Sequence, residues 1–535
     1  MTAVTVLTAA LTIIGSSCLY YYWLAATTAK RTQAHWISIL PRLLRPHLTH
    51  SETAAAAYKH GPILLQYLGP FKHIIVCDAK IANYMLKHDD VYIKMAVPTA
   101  PSIAKYCGST IMNTNGEIYQ LHRQLVAKFL NHASVNSFRS RFQQQVDKLV
   151  VVLAQQLVEN HSNYVTHECT VDISKYMAAL TLDVLGSTIL GINMGSLDNS
   201  SGSSNSRTIL TIKDAIAIFT REITNPLHIV IPFYEKLTFL QSNRELRDSL
   251  VVINNYVNKL LVERANKNST KQTDYNILDD MIDNHLLSAD NNQSSSSSSS
   301  SVSNGSGDDK KSGKISLAAA FGNIINLMIA GYDTTAISLS WILYFLAINP
   351  NIQDRLYEEI VTDSDEKGGL AFMSTTLLGR VIKESLRLMP PVAIAPTRTC
   401  TEDQQLPFTN PHTGQAYIIP KGSIISYSVW AIHRDPKLWL DPDSFNPDRW
   451  LSPKEDDDSA RQFNEREVFL PFSAGRRPCL GREFSLVEQK IVLIALLKKF
   501  RILPAVGDSA DSVPHLKSGI FSAPENVTVK LQLRQ

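Results

Sequence analysis

The sequence predicts a mainly α-helical fold with a small β-rich subdomain, preceded by one N-terminal transmembrane helix. Three patterns carry that prediction. The first 29 residues hold no charged side chain, a helical period runs through most of the chain up to about Leu386, and residues 61–76 (GPILLQYLGPFKHIIV) alternate between turn signals as a β-hairpin does.

The N-terminal segment is mostly apolar from Val4 to Ala26. At about 1.5 Å per residue a helix of that length spans roughly 35 Å, against a bilayer core of ~30 Å. Tyr20, Tyr21, Tyr22 and Trp23 stand near its end, where amphipathic rings favour the interface. Lys30, Arg31, Arg42 and Arg45 follow, which places the C-terminal side in the cytosol. A cleaved secretory signal would carry a positive leading region and a shorter apolar stretch. Residues 1–29 therefore read as a retained anchor, 30–59 as a linker and 60–535 as the principal domain.

Composition narrows the function. In 535 residues, 52 Lys and Arg against 49 Asp and Glu leave a net charge of +3. That excludes a strongly basic nucleic-acid binder and an acidic disordered chain. The six cysteines, Cys18, Cys77, Cys107, Cys169, Cys400 and Cys479, form no Cys-x-x-Cys pair, so a zinc ribbon is excluded and a reducing compartment is the simpler setting. Two polar inserts, at about 199–206 and 291–313, cannot bury apolar surface and read as disordered loop expansions.

Ser316 to Ile348 is the most informative helical stretch. Its only charge is Asp333, so most of its circumference must be buried. Asn323, Asn326 and Asp333 would be costly in lipid, which favours a core helix over a second membrane span.

Near the C-terminus, Phe472-Ser-Ala-Gly475-Arg-Arg477-Pro-Cys479-Leu-Gly481 precedes an amphipathic helix running through Phe500. Cys479 stands at a helix start, where unpaired backbone N–H groups and the positive dipole end favour a thiolate. Gly475 and Gly481 remove side chains where something flat can approach the backbone, and Arg477 can pair an anion on it. A thiolate flanked by glycines with an arginine nearby suits a haem iron and its propionates.

This loop, Phe472-x-x-Gly475-x-Arg477-x-Cys479-x-Gly481, resembles the haem-binding loop of the cytochrome P450 family of haem-thiolate monooxygenases, in particular its eukaryotic microsomal type. Other motifs follow in the family's order. Ala330-Gly331-Tyr332-Asp333-Thr334-Thr335 resembles the distal oxygen-activation motif, Glu384-Ser-Leu-Arg387 the Glu-x-x-Arg helix, and Phe445-Asn-Pro447-Asp-Arg449-Trp450 the meander. The resemblance implies the cytochrome P450 fold, haem b as cofactor, Cys479 as axial iron ligand, and Asp333 with Thr334 as the catalytic proton relay. It implies Arg477, Arg398 and Arg123 as propionate partners. It also implies a buried structural network of Glu384, Arg387 and Arg449 that holds the cysteine loop. The sequence departs from the family at Tyr119, where tryptophan is usual, although a phenol can also donate a hydrogen bond. His122 beside Arg123 reads as a solvated surface histidine. Ala127-Lys128-Phe129 lacks the usual proline, and the proline-rich hinge is reduced to Pro41 and Pro46.

The implied reaction inserts one oxygen atom of O2 into a lipophilic substrate such as a steroid, terpenoid or fatty acid. Electrons would come from NADPH through NADPH–cytochrome P450 reductase, with cytochrome b5 as a second donor, at the endoplasmic reticulum membrane. The long serine-rich inserts resemble those of filamentous-fungal members, some of which hydroxylate steroids. By family position the pocket draws on residues 95–109 and 216–233, Ala330, Ile394, Ala395, Ile520 and Phe521. Two other readings use the same fold: a reductase-independent isomerase or peroxygenase, and a non-enzymatic haem sensor or carrier. The Asp333–Thr334 pair speaks against both. His433-Arg434-Asp435 spells a kinase triplet, but Leu440 stands where that motif needs asparagine.

Overall fold

The computed structural model describes every residue except 1–22, 39–47, 69–70, 95–106, 160–167, 199–211, 224, 226, 228–233, 268–275, 282–316, 363–375, 452–464, 506–513, 515, 517–520 and 535. Residues 1–22 of the segment read as an anchor (1–29) and both polar inserts lie outside the described residues. Residues 23–32 are helical, and the segment read as a linker contributes to the fold. There, His35–Trp36 (β1) pairs in parallel with Ile63–Leu68 (β2), and Thr49–His60 forms helix α1. Tyr58 of α1 donates to the Ala431 carbonyl at 2.7 Å, which ties the helix to the domain.

The predicted hairpin forms. β2 pairs antiparallel with Phe71–Val76 (β3), placing Ile63 opposite Val76. Both strands belong to a six-stranded sheet in the order β1-β2-β3-β9-β6-β4, with Tyr92–Lys94 as β4, Arg398–Cys400 as β6 and Ile424–Tyr427 as β9. Asp78 caps helix α2 (Ala79–Lys87) by accepting from the Ile81 N–H at 2.9 Å. A second sheet joins Glu168–Asp172 (β5), from the helical half of the chain, to the C-terminal strands Phe500–Pro504 (β10) and Thr528–Leu533 (β11). Gln404–Thr409 (β7) and Ala416–Ile419 (β8) form a separate hairpin.

The main helices are α3 (Gly116–Leu130), α4 (Arg139–Glu159), α5 (Ile173–Leu185), α6 (Ile212–Ile223), α7 (Gln241–Lys267), α8 (Leu317–Ile348), α9 (Pro350–Thr362), α10 (Leu377–Leu388) and α11 (Arg482–Lys499). α8 runs through the core. Every residue from Thr335 to Ala347 is buried, and Trp341 Nε1 donates to the Ser522 carbonyl at 2.8 Å. This is the environment of a core helix, as its asparagines and Asp333 require. α5 packs along α8 so closely that a Cβ on Gly331 would stand 3.0 Å from Leu185 Cδ1, and Thr181 Oγ1 donates to the Tyr332 carbonyl at 3.0 Å.

α10 starts where two acceptors meet its first turn. Thr376 accepts from the Gly379 N–H, and the Glu359 carboxylate accepts from the Leu377 and Leu378 N–H groups at 2.8 and 3.0 Å. It ends before Pro390-Pro391, whose rings cannot continue a helix. α11 differs from the amphipathic helix the sequence suggests. Its buried residues include Phe484, Ser485, Val487, Glu488, Gln489, Val492, Leu493 and Leu496, so they cover most of its circumference. The cause is position: α11 is packed among α4, α8, α9 and α10.

That placement buries Glu488 with neither carboxylate oxygen hydrogen-bonded. Burial pushes its carboxyl well above the usual range, so it stays protonated in the folded chain. A group that holds its proton more tightly when folded loses its stabilising share as pH rises past its unfolded value of about 4.3. Glu488→Gln is therefore expected to raise the melting temperature at pH 8 and to change it little near pH 4.5, as read by thermal unfolding at both pH values.

Candidate active site

The loop before α11 is shaped by its own backbone. The Cys479 N–H donates to the Phe472 carbonyl at 2.9 Å, closing the loop, while Phe472 itself packs on the core. Ser473 adopts φ +60° and accepts a hydrogen bond from the Tyr427 hydroxyl at 2.9 Å. Gly475 has φ +73°, and a Cβ there would lie 2.3 Å from the Leu86 carbonyl oxygen. The turn and the Leu86 carbonyl of α2 both demand glycine here. Gly481 caps α11 with φ −80°, and a Cβ there would sit 3.9 Å from Cys479 Sγ.

Cys479 is exposed, whereas Cys77, Cys107, Cys169 and Cys400 are buried. Enough protein still surrounds its thiol that burial is the largest influence, pushing it up. The Gly481 and Arg482 N–H groups and the Arg482 charge pull it back toward the thiolate. The sulfur therefore lies on an accessible wall with two donors behind it.

A second accessible stretch lies on α8. Ala330 is exposed although Met328 and Tyr332 are buried, and Gly331, Asp333 and Thr334 are half-buried. Thr334 Oγ1 donates to the Ala330 carbonyl at 2.7 Å, one turn back. Thr335, next along, shares a 2.9 Å hydrogen bond with Ser485 of α11. Gln489 extends this contact by donating to Ser485 Oγ and accepting from Ser338, each at 2.9 Å. These buried hydroxyls pin the accessible stretch of α8 to the helix that follows Cys479.

At one edge the structure gathers Arg123, Arg398, Arg477 and Tyr119, and adds Lys94, which the sequence reading missed. Lys94 and Arg398 are directly opposite across β4 and β6. Arg477 donates to the Thr114 carbonyl at 2.7 Å and to Asn115 Oδ1 at 3.0 Å, while Asn115 Nδ2 donates to the Lys94 carbonyl at 2.7 Å. The Arg477 guanidinium lies 3.8 Å over the Tyr119 ring, and Arg123 donates to the Tyr119 hydroxyl at 3.0 Å. Burial, then Arg398 and Arg477, push the Lys94 amine down to about 7. Asp89 offsets part of this charge, 3.6 Å from Arg477 Nε, a buried nitrogen with no hydrogen-bond acceptor. Like charges facing across strands repel, so the corner suits an anion with more than one charge.

His122 is a correction. It is fully buried rather than solvated, because its Nδ1 lies 2.6 Å from Asn323 Nδ2 of α8. The pocket positions divide. Ile216 and Ala395 belong to the core, Ile394 and Phe521 are half-buried, and residues 95–106, Ile520 and most of 224–233 lie outside the described residues.

Behind the loop, Glu384 and Arg387 are wholly buried. The Glu384 carboxylate accepts from Arg387 Nε and Nη2 at 3.0 and 2.9 Å, and from Arg449 Nε at 2.8 Å. It also accepts from Trp450 Nε1 at 2.9 Å and the Asn446 N–H at 3.0 Å. Arg387 further donates to the carbonyls of His433, Pro442 and Ser444. Glu384→Gln leaves two guanidinium groups facing a neutral amide. It is expected to cost about 3–5 kcal/mol, seen as a lowered denaturant midpoint with the slope unchanged.

A family model described as Cytochrome P450 matches residues 32–531. Cytochrome P450 4F8 of Homo sapiens is 25% identical over 469 residues, covering 84% of this chain and 79% of the relative. Cytochrome P450 4c21 of Blattella germanica is 26% identical over 471 residues, covering 87% and 84%. A Dictyostelium discoideum protein named "Probable cytochrome P450 525A1" is 28% identical over 378 residues, 67% of this chain, and the chain spans 54% of that relative's length. On a family match that takes in nearly the whole sequence, over the fold and loop just described, the chain belongs to the cytochrome P450 family, whose members are monooxygenases.

Proposed function

We propose that this chain is a haem-thiolate monooxygenase that inserts one oxygen atom of O2 into a lipophilic substrate. Its electrons come from NADPH through a separate membrane-bound reductase, with cytochrome b5 as a second donor. The observation that carries the reading is Cys479, an exposed cysteine backed by two N–H donors on the loop that also carries Arg477, which with Arg123, Arg398 and Lys94 forms a basic corner. The residues fit haem in each respect: an exposed cysteine for an iron, and a basic corner where Arg477 Nε, ion-paired with Asp89 at 3.6 Å, has no acceptor within hydrogen-bond distance among the described residues. Haem, when bound, supplies the redox chemistry that splits dioxygen. Cys479 would ligate its iron as thiolate, and Lys94, Arg123, Arg398 and Arg477, with Tyr119, would hold its propionates.

On α8, Gly331 presents no side chain where Leu185 of α5 presses on it. Thr334 Oγ1 holds its proton on the Ala330 carbonyl, so its lone pairs remain to accept a proton and its hydrogen can be handed on. Asp333, half-buried on the adjoining position, would recharge it from solvent. The apolar positions Ala330, Ile394 and Phe521 favour a steroid, terpenoid or fatty acid over a charged metabolite. The charge-free first 29 residues, with the basic residues after them, support single-pass anchoring in the endoplasmic reticulum membrane, the catalytic domain facing the cytosol.

Reconstitution with reductase, NADPH and a panel of lipophilic substrates under isotopically labelled O2 tests this. The expected product carries one labelled oxygen. Thr334→Ala is expected to lower product formation by roughly tenfold or more while NADPH consumption continues, because the proton is no longer positioned. Turnover without NADPH, or label absent from the product, would point to the isomerase or peroxygenase instead.

A further inference from the structure

The Glu384 network is expected to hold the cysteine loop, yet its hydrogen bonds do not reach that loop. Among the described residues, Glu384, Arg387 and Arg449 bond to one another, to Trp450, to the Asn446 N–H and to carbonyls of His433, Leu440, Asp441, Pro442 and Ser444. All of these lie before residue 451. The polar link to residues 469–481 is the side chain of His433, the residue whose triplet resembled a kinase motif without serving one.

His433 is wholly buried. Its Nδ1 lies 3.2 Å from the Arg387 carbonyl oxygen, and its Nε2 lies 2.9 Å from the Leu470 N–H. A backbone N–H can only donate, so Nε2 must be the acceptor. A carbonyl can only accept, so Nδ1 must carry the proton. The two contacts together admit a single form, the neutral imidazole protonated on Nδ1. The surroundings agree: burial, then the Arg387 charge and that of Arg434, push the ring down to about 3. Phe469 stacks on the ring at 5.3 Å and Trp439 meets it edge-on at 6.3 Å, fixing its plane.

Leu470 is two residues before Phe472, whose carbonyl accepts the Cys479 N–H, and the Leu470 carbonyl accepts from the Ser473 N–H at 3.1 Å. We infer that His433 is a positioning residue: its Nε2, held as an acceptor by the Nδ1 contact to the Arg387 carbonyl, takes the Leu470 N–H at the start of the Cys479 loop and through that bond sets the orientation of the sulfur. This rests on the reading of Cys479 as the haem ligand. The Trp450–Phe469 ring contact at 4.8 Å is an apolar companion, which can hold distance but not direction.

The test compares His433→Gln, His433→Asn and His433→Leu in the full-length, haem-loaded protein. Glutamine can still accept from the Leu470 N–H; asparagine is too short to reach it, and leucine offers no acceptor. The readout is the carbon monoxide spectrum of the reduced protein, which separates thiolate from neutral-thiol ligation without any turnover. The expected result is roughly tenfold faster conversion from the thiolate band to the thiol band in the asparagine and leucine variants, with glutamine close to the parent. Should leucine fail to fold, the glutamine–asparagine pair decides alone. Equal conversion rates in all three variants, whether parent-like or raised, would overturn the inference. A parent protein without a thiolate band would instead overturn the reading of Cys479 on which it rests.

Discussion

A carboxylate with no exposure to water must be fully answered by donors, and Glu384 meets that condition with the guanidinium groups of Arg387 and Arg449, an indole N–H and a backbone N–H. Arg387 lies at the end of α10, while Asn446, Arg449 and Trp450 lie together on the meander. Satisfying one charge therefore fixes the end of α10, the meander from Leu440 to Trp450 and the turn at His433. The remaining donors of Arg387 bond to main-chain carbonyls, so the meander is held by backbone contacts that side-chain substitution on its surface would leave intact. The proximal half of the site is built on this base.

Electrostatics divide the site into two regions. Behind Cys479 the field is mild: two N–H groups and Arg482 work against the cost of burying a thiolate. At the corner formed by β4, β6 and Arg477 positive charge is concentrated, and burial, with Arg398 and Arg477 adding to it, lowers the Lys94 amine to about 7. Asn115 organises that corner by bonding to both Lys94 and Arg477. Tyr119 lies between Arg477 over its ring and Arg123, whose guanidinium donates to its hydroxyl. The substitution at this position thus preserves both the stacking surface and a polar contact.

Much of the site was legible in the sequence because its chemistry demands short, fixed spacings. Cys479 with its glycines, Asp333 with Thr334, and Glu384 with Arg387 each lie within one turn or one loop. α8 was legible from its single charge, and the hairpin from its alternation. What escaped depends on pairings across the chain. Lys94 sits on a three-residue strand, too short to show a period, and its place beside Arg398 is set only by the pairing of β4 with β6. His122 looked solvated because its partner, Asn323, is 201 residues away. β5 escaped because its partners are the C-terminal strands. The contact of Gly475 with the Leu86 carbonyl of α2 escaped for the same reason, since the two residues are far apart in the chain.

The account turns on what Cys479 does with its exposed sulfur. The most direct measurement is the spectrum of the reduced protein under carbon monoxide, recorded beside Cys479→Ala. A strongly red-shifted Soret band in the parent and its absence from the alanine variant is the predicted result. A histidine-like band in the parent, or a well-folded parent that takes up no haem, would contradict it.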